Sequence, residues 1–331
     1  MHYHPAIAIE PPSLLAALSA DHAVSGAELA RRLNVTRAAV WKQIEHLREL
    51  GAPIEAAAGS GYRLAWPLEL LDAERIRGEL DPAMRKRLLA LAVHWQIDST
   101  STELQRCAAA ATGIEACLAE TQSAGRGRRG RAWQSPLGGN LYFSLLRRFY
   151  SGMAALSGLS LVVGVAVVEA LADCGVAGVG LKWPNDVLAD GRKLAGVLVE
   201  LGGEFLGPCH AVIGIGINLR LPSEARARID QPAIDVASLR GGEIPSRNAL
   251  AARLIVRLIA ALDRFEAHGF AAFAADYARS DLLHGRHVRV LAAGASHEGV
   301  AAGVDERGAL IVRHDDTPHH YDSAEVSVRA A

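Results

Sequence analysis

The stretch ACLAETQSAGRGRRGRAW (residues 116–133) joins a strand-like apolar run to a loop that holds three glycines and four arginines. Glycine lets a backbone approach a ligand closely, and guanidinium groups bind phosphate or carboxylate bidentately without losing their charge. The loop is therefore typical of an anion-binding site that orders around its ligand. Taken alone, it is better explained by a solvated basic turn or a nucleic-acid patch.

Runs with strand-like character lie on both sides of this loop, and helical patterns separate them. The strand candidates are AVHWQID, ACLAET, LYFSLLRR, LKWPNDVLA, KLAGVLVEL and HAVIGIGINL, at residues 92–98, 116–121, 141–148, 181–189, 193–201 and 210–219. The helical patterns cover Thr102–Thr112, Leu156–Cys174 and Arg247–His268. This mixture predicts an α+β fold, with a central α/β domain on a mainly antiparallel sheet over residues 75–282.

The first 66 residues carry a pattern of their own. Ser25 with Glu28 matches a capping box, and Thr36 is placed to cap a second helix on which apolar residues recur at helical spacing. Two short helices joined by a short turn match the helix-turn-helix, and Gly59-Ser60-Gly61 between strand-like runs predicts a wing. Residues 1–66 are therefore predicted to form a winged helix-turn-helix DNA-binding domain with a separate core.

Two features mark the remaining domain boundaries. Trp66-Pro67-Leu68 predicts a stiff connection after the first domain, because proline fixes its backbone and removes a donor. From His287 onward, short strand-like runs alternate with turns at Ala293-Gly294, Glu306-Arg307-Gly308 and Asp315-Asp316-Thr317-Pro318. This pattern predicts a small SH3-like β-barrel at residues 283–331.

Composition narrows the class of protein. The 331 residues carry a formal net charge of −1, so the whole surface gives no electrostatic case for nucleic acid or an anionic membrane. The four cysteines are far apart in sequence, which predicts reduced thiols rather than a disulfide framework or a zinc site. No signal-peptide pattern stands at the N-terminus, and the apolar stretch Met153–Val168 is too short for a bilayer. We expect a cytoplasmic protein without a membrane span and without a resident metal.

Three further segments place polar side chains beside buried strands. Lys182–Asp186 predicts a strand that leaves the sheet into a tight turn, and Lys193 adds a compact positive charge near the arginine loop. Asp98–Thr102 offers hydroxyls that can cap a helix or hold a small polar group. Gly214–Leu219 lacks the third glycine of a dinucleotide fingerprint, which favours glycines that let a ligand lie against a strand. Each segment is also explained by ordinary turns, caps and surface lysines.

Taken together and in order, the segments DST, AETQSAGRGRRGRAW, LKWPND, KLAGVLVE and GIGINL are similar to those of the biotin–protein ligase family. With the winged helix-turn-helix in front, the chain resembles the bifunctional members, which are ligases and biotin-operon repressors. The resemblance covers nearly the whole chain, through AEVSVR near its end. It implies an enzyme that forms biotinyl-5′-AMP from biotin and ATP with Mg²⁺, then biotinylates a lysine of the biotin carboxyl carrier protein of acetyl-CoA carboxylase.

The resemblance also implies roles for individual residues. Lys193 and Arg128 are implied to be catalytic, with Lys193 bridging the biotin carboxylate and the α-phosphate. The implied biotin-binding residues are Ser99, Thr100, Ser101, Gln122, Arg126, Gly127, Arg128 and Lys193. The implied ATP- and adenylate-binding residues are Gly125, Arg126, Arg128, Arg129, Trp133, Asn185, Asp186 and Asn218. Ser101 departs from the family pattern, because relatives often carry asparagine there.

Operator DNA is an implied partner of the first domain, with Thr36, Arg37 and Lys42 as the DNA-binding residues. Residues 1–66 hold six basic and six acidic side chains, however, so the domain lacks the usual positive footprint. A winged helix that has lost its operator, or one that only regulates the ligase, therefore stays an alternative. The resemblance further implies a homodimer in the liganded state, edge to edge through the central sheet, with biotinyl-5′-AMP as corepressor.

Two other functions fit parts of the sequence. A lipoate or octanoate ligase shares the fold and the adenylation chemistry, whereas the arginine loop and KWPND favour biotin. A transcription factor that senses a ligand without catalysis would need neither Lys193 nor the intact arginine loop. A biotin ligase with a repressor domain is the function on which all the segments agree.

Overall fold

The computed structural model describes residues 10–292, 295–315, 317–322 and 326–330. An N-terminal unit of helices and a hairpin comes first, a seven-stranded sheet with helices follows, and a five-stranded sheet ends the chain. The predicted α+β class is therefore confirmed. Within the described ranges, no helix is both long and apolar enough to cross a membrane.

The N-terminal unit consists of α1 Pro11–Ala17, α2 Gly26–Arg32, α3 Arg37–Glu49, β1 Ile54–Ala57 and β2 Gly61–Leu64. The Ser25 hydroxyl accepts a hydrogen bond of 3.1 Å from the Glu28 amide, and the Thr36 hydroxyl accepts one of 3.1 Å from the Ala39 amide. These bonds satisfy amides that have no partner inside the helix, which fixes where α2 and α3 begin. The predicted helix-turn-helix is confirmed, and β1 and β2 pair as the predicted hairpin.

The core of this unit is not separate from the rest of the chain, contrary to the prediction. Val40, Ile44 and Leu47 fill it from α3, but Leu137 of the central unit is fully buried in the same cluster. The Leu137 amide also donates a hydrogen bond of 2.8 Å to the Leu50 carbonyl, just after α3. The sequence did not predict this contact, because a single leucine in a loop has no periodicity.

A mixed seven-stranded sheet forms the middle of the molecule, in the order β3-β4-β5-β9-β8-β7-β6. The elements of the central unit are α4 Ala73–Gly78, α5 Pro82–Arg87, β3 Leu88–Ile97, α6 Thr100–Cys107, β4 Ile114–Gln122, β5 Asn140–Phe149, α7 Leu159–Asp173, β6 Val179–Lys182, β7 Asp186–Ala189, β8 Arg192–Gly203, β9 Cys209–Asn218, α8 Ser223–Ala227, α9 Val236–Leu239, α10 Arg247–His268 and α11 Ala274–Ser280. Strands β3 and β4 are parallel, with α6 as the crossover between them, and the other neighbouring strands are antiparallel. The predicted mainly antiparallel sheet is confirmed.

Helices cover both faces of this sheet. Adjacent residues of a strand point to opposite faces of the sheet, as Cys117 and Leu118 of β4 do. Leu118 lies in the main core with α7 and α10, whereas Cys117 packs with Leu104 of α6 on the other face. The start of α6 meets the end of β4 and the middle of β8 and β9, and a cleft opens there.

The connection after the N-terminal unit is anchored to the start of α10. The Glu69 carboxylate accepts hydrogen bonds of 2.6 Å from the Arg247 amide and 2.8 Å from the Asn248 side chain. Arg247 is fully buried and pairs with Glu120 of β4 at 2.7 Å. Separating Arg247 from Glu120 would leave a buried charge without a partner, which is energetically costly. The pair therefore holds the start of α10 against β4. Residue 69 is therefore held by the central unit.

The C-terminal unit is an antiparallel sheet in the order β13-β12-β11-β10-β14. Its strands are β10 His287–Ala292, β11 Ala295–Val304, β12 Leu310–His314, β13 Thr317–Tyr321 and β14 Val326–Ala330. The predicted turn Glu306-Arg307-Gly308 joins β11 to β12, and its Gly308 carbonyl accepts a hydrogen bond of 3.0 Å from the Trp183 indole of the central unit. The predicted turn Ala293-Gly294 and residue Asp316 lie outside the described residues. Closure of this sheet into a barrel stays a prediction.

Candidate active site

A cleft between the start of α6 and the sheet has about 480 Å³ of empty space, part of it open to solvent. It is lined by all the residues implied for biotin, namely Ser99, Thr100, Ser101, Gln122, Arg126, Gly127, Arg128 and Lys193. Tyr142, Phe143, Val197, Leu198 and Ile215 add apolar surface to the same cleft. Apolar walls with a few polar groups are typical of small-molecule sites.

Four polar side chains form a connected group at this cleft, and three of them line it. The Thr100 amide donates a hydrogen bond of 2.9 Å to the Gln122 side-chain carbonyl. The Ser144 hydroxyl lies 2.7 Å from the Thr100 hydroxyl and 3.0 Å from the Ser101 hydroxyl. Ser144 is fully buried on β5, so it holds the other two hydroxyls in place from behind. Sequence reasoning missed Ser144, and a lone serine in the apolar run LYFSLLRR is the signal that could have found it.

Two glycines of β9 make room for side chains beside the cleft. A Cβ atom at Gly214 would lie 2.5 Å from the Ser101 hydroxyl, and one at Gly216 would lie 2.4 Å from the Trp133 ring. Non-bonded carbon atoms prefer separations of about 3.5–4.0 Å, so a side chain at either position would force a displacement. The sequence predicts glycines that let a ligand lie against the strand, and here they admit Ser101 and Trp133, which line the cleft.

The arginine loop is closed by its own backbone. The Trp133 amide donates a hydrogen bond of 2.9 Å to the Gly125 carbonyl, and the Gly127 amide donates one of 2.7 Å to the Arg131 carbonyl. Arg129, near the tip, has a φ of 58°, in the left-handed region. The base of the loop is thus fixed, while Arg129 and Arg131 are exposed.

Two arginines of the loop point in different directions. Arg128 donates a hydrogen bond of 3.0 Å to the Asn185 side chain, and burial lowers the pKa of its guanidinium, with a smaller contribution from Arg129. Arg126 instead makes two hydrogen bonds to Glu200, of 2.9 and 2.7 Å. Arg128 therefore lies at the inside of the site, and Arg126 lies at its rim.

Lys193 places its ammonium group in the centre of the site. Its Nζ atom lies 2.7 Å from an Asp186 carboxylate oxygen and 5.6 Å from the centre of the Trp133 ring. The side chains of Lys193 and Asp186 are only 16% and 21% exposed. Charges in such a partly buried place interact more strongly than they do in water. The sequence proposed Lys193 and Asp186 separately, and the pairing of β7 with β8 brings them together.

A second cleft adjoins the first, with about 2240 Å³ of empty space that includes open solvent. The residues common to both clefts are Gly127, Arg128, Trp133, Asn185 and Lys193. The residues implied for ATP that line the second cleft are Arg128, Arg129, Trp133, Asn185, Asp186 and Asn218. The two remaining residues implied for ATP do not line the second cleft. Arg126 lines the first cleft, and Gly125 packs against Gln122 and Ser135.

Three family models match successive parts of the chain. The Biotin/lipoate A/B protein ligase family matches residues 94–218, an HTH domain matches residues 13–63, and the biotin protein ligase C-terminal domain matches residues 283–329. The bifunctional ligase/repressor BirA of Salmonella typhimurium is 38% identical over 324 residues, which are 97% of this chain and 98% of that relative. The chain belongs to the biotin protein ligase family.

A solved biotin protein ligase has the same fold. The enzyme of Aquifex aeolicus in complex with biotin and ATP has a TM-score of 0.62 and is 28% identical, over 74% of this chain and all of its own. A biotin–[acetyl-CoA-carboxylase] ligase of Mycobacterium tuberculosis is 34% identical over 256 residues, which are 73% of this chain and 92% of that relative. The biotin protein ligase fold therefore accounts for most of the chain.

Sequence patterns missed other residues that line the clefts of this ligase. Residues 228–233 form one wall of the second cleft, and Gly196 borders the first. The wall is an irregular segment, where hydrophobic periodicity gives no signal. Tyr142 is buried, and its hydroxyl donates a hydrogen bond of 2.8 Å to the Pro136 carbonyl, so in sequence it resembles any core aromatic.

The residues implied for DNA binding lie at the start and in the middle of α3 in this biotin protein ligase. Thr36 caps the helix, and Arg37 and Lys42 are exposed. Trp41 stands beside them and is 59% exposed, although large aromatic side chains are usually well buried. The exposed side of α3 thus carries an aromatic ring that sequence reasoning did not single out.

Proposed function

We propose that this chain is an ATP-dependent biotin–protein ligase that also represses biotin-synthesis genes in response to biotin. The observation that carries the proposal is the junction of the two clefts, where Lys193 and Arg128 stand between a hydroxyl-lined cleft and a cationic one. Such a junction can bring two anions, a carboxylate and a triphosphate, into reacting distance. The relatives named as ligases, and the ligase solved with biotin and ATP, support the same function.

Biotin occupies the first cleft in this proposal. Its ureido ring has two N–H donors and one carbonyl acceptor, and the hydroxyls of Thr100 and Ser101 with the Gln122 amide offer complementary groups. The apolar part of biotin lies along Val197 and Leu198, which directs the carboxylate toward Lys193.

The first chemical step is adenylation. A biotin carboxylate oxygen attacks the α-phosphorus of ATP, the bond from that phosphorus to the bridging oxygen breaks, and pyrophosphate leaves. Negative charge builds on the α-phosphate oxygens in the transition state, and a fixed cation stabilises it. Lys193 supplies this cation, exchanging its contact with Asp186 for the phosphate oxygens. Arg128 offsets the repulsion between the two anionic substrates.

The nucleotide occupies the second cleft, and Mg²⁺ enters with it. Magnesium keeps several waters and binds mainly to substrate phosphates in sites of this kind. The described ranges contain no group of three or more His, Cys, Asp or Glu side chains that could hold a metal ion.

The arginine loop protects the mixed anhydride until the acceptor arrives. Arg128 and Trp133 line both clefts, so they cover the point where the new bond forms. A site closed in this way keeps water from hydrolysing a reactive intermediate. In the second step the amine of a carrier-protein lysine attacks the biotinyl carbonyl carbon, AMP leaves, and the amine loses a proton as the amide forms. We place this reaction in the cytoplasm, with the biotin carboxyl carrier protein as the acceptor.

A streptavidin blot tests the ligase function. The protein is incubated with ATP, Mg²⁺, biotin and a purified carrier domain. In a parallel sample lipoate replaces biotin, and the intact mass of the carrier domain shows whether lipoate was attached, because streptavidin does not detect it. We expect label only with biotin, and a wild-type sample without label contradicts the function.

The role of Lys193 is tested by pyrophosphate release at saturating biotin and ATP. We expect Lys193→Gln to lower the rate by about 100-fold or more, because it removes a transition-state contact. Lys86→Gln is the control, because that lysine is exposed on α5. A Lys193→Gln rate within about threefold of wild type contradicts the assigned role.

The repressor function rests on the N-terminal unit, with operator DNA as its partner and biotinyl-5′-AMP as the corepressor. A dimer would place two α3 helices on two half-sites of an operator. The edge strand β3 provides a surface for such a dimer, because it ends the sheet and its Leu89 is 55% exposed. Adenylate that favours this dimer also favours DNA binding, since the two equilibria are linked.

A further inference from the structure

We propose that Arg226 and Asp235 are positioning residues, which hold the backbone of Lys193 in register through the segment Pro232–Ile234. This inference rests on the proposed ligase function, in which Lys193 contacts the reacting phosphate. In the part of the chain that the structure describes, neither side chain has a hydrogen bond or ion pair to Lys193, and both bind the short segment that does.

Lys193 needs support from this segment because it lies beyond the end of its neighbouring strand. The pairing of β8 with β9 begins at Ala195 opposite Ile217, and β9 ends one residue later at Asn218. On the side of Lys193 that would face β9, the segment 232–234 takes the place of that strand. Ala233 of this segment forms a short parallel bridge with Lys193. The catalytic lysine is thus paired with Leu188 of β7 on one side and held by this loop segment, in place of β9, on the other.

The bridge is made of two backbone hydrogen bonds. The Lys193 amide donates one of 2.8 Å to the Pro232 carbonyl, and the Ile234 amide donates one of 2.9 Å to the Lys193 carbonyl. The buried Asn218 side chain donates to the Lys193 carbonyl at 3.4 Å and to the Ile234 carbonyl at 3.2 Å. A shift of the segment would therefore move the backbone that carries the lysine.

Asp235 fixes the segment at its end. Its carboxylate accepts hydrogen bonds of 2.7 Å each from the Leu221 amide, the Arg226 guanidinium and the Ser238 amide. The Asp235 side chain is only 3% exposed, so its charge depends on these three donors. The contact with Leu221 ties the segment to the chain that follows β9.

Arg226 adds the contact that reaches the bridge itself. One guanidinium nitrogen pairs with Asp235, and the other donates a hydrogen bond of 3.0 Å to the Ala233 carbonyl. A planar guanidinium can make both bonds at once, which a lysine side chain does less well. Arg226 therefore connects the buried carboxylate to the residue that faces Lys193 across the bridge.

The test is pyrophosphate release by Arg226→Met in the full chain, with biotin and ATP saturating. We expect kcat to fall by about tenfold, because small misplacements of a catalytic group are costly. Biotin affinity measured without ATP should stay within about twofold, since the residues that line the first cleft, apart from Lys193, lie outside this segment and its two supporting residues. Arg279→Met is the matched control, because Arg279 pairs with Asp276 on α11, away from both clefts.

The same substitution in a Lys193→Gln background separates positioning from general destabilisation. If Arg226 acts through Lys193, the double variant releases pyrophosphate at nearly the rate of Lys193→Gln alone. A further drop of about tenfold in that background, or an unchanged kcat in Arg226→Met, overturns the inference. Asp235→Asn serves as the second variant if Arg226→Met does not fold, with the same expected result. A wild-type chain that releases no pyrophosphate refutes the ligase function instead, so the two failures are distinguishable.

Discussion

Gly216→Ala should displace Trp133 and slow adenylation, because the new methyl group has no room. Its Cβ atom would lie 2.4, 2.6 and 2.7 Å from three atoms of the indole ring. A relaxed contact is about 3.5 Å or more, so the ring must lift by about 1 Å. The Trp133 backbone is fixed by the hydrogen bond of 2.9 Å from its amide to the Gly125 carbonyl, so the indole must move by rotation of its side chain.

The size of the effect follows from the cost of overpacking. Extra methyl groups in a packed place typically cost about 1–3 kcal/mol. If that cost falls on the transition state relative to the free enzyme and substrates, kcat/KM for adenylation drops by about 5- to 150-fold. Gly196→Ala should have a smaller effect, because its Cβ atom would lie 3.1 Å from both the Trp133 ring and the Lys193 side chain. Gly78→Ala is the control, because nothing lies within 4 Å of a Cβ atom there.

Pyrophosphate release over a range of biotin and ATP concentrations measures all three variants. We expect the order Gly216→Ala, then Gly196→Ala, then Gly78→Ala, from most to least impaired. Adding Trp133→Ala to Gly216→Ala should remove the steric part of the loss, so the two changes are not additive. A Gly216→Ala enzyme within about twofold of wild type would show that Trp133 does not lie against β9 during the reaction.

Two other predictions concern the loop and the first unit. Arg128→Gly should still form the adenylate, though more slowly, because Lys193 remains, but it should hold the adenylate loosely and release it. A bystander protein mixed with the carrier domain then acquires biotin, which mass spectrometry of its lysines can detect, and label confined to the carrier contradicts a closing loop. Arg37→Ala should weaken operator binding by about 1–3 kcal/mol if Arg37 contacts a base, while pyrophosphate release stays at the wild-type rate. Anisotropy titrations on DNA upstream of biotin-synthesis genes, with and without adenylate, measure this, and the absence of any sequence preference in wild type refutes the repressor function.

The elements that the sequence predicted well are those with strong local signals. The caps at Ser25 and Thr36 give the starts of α2 and α3, and Arg247–His268 is recovered with the same bounds as α10. Strong periodicity and capping chemistry are local, so a single sequence contains them. The helical pattern Thr102–Thr112 is less accurate, because the observed helix α6 runs from Thr100 to Cys107.

The candidate site was predictable in its residue types but not in its pairings. The sequence singled out Lys193, Asp186 and Arg128, yet it gave no indication that Asp186 contacts Lys193 while Arg128 contacts Asn185. Those pairings depend on strand register, which is set by the whole sheet. Arg226 and Asp235 were missed for a related reason, since their importance lies in what an irregular segment does for a distant strand.

Leu137 bears on how this chain can be divided by deletion or by recombination. Its side chain completes the core of the DNA-binding unit, while the residues just before it carry the arginine loop and Trp133. A shortened ligase that begins after residue 66 would expose this leucine to water, at a cost of about 1.5–3 kcal/mol for a fully buried side chain. The N-terminal unit and the central unit are therefore not structurally independent. Replacing the N-terminal unit with another DNA-binding domain would succeed best if that domain also buries a leucine from loop 133–137.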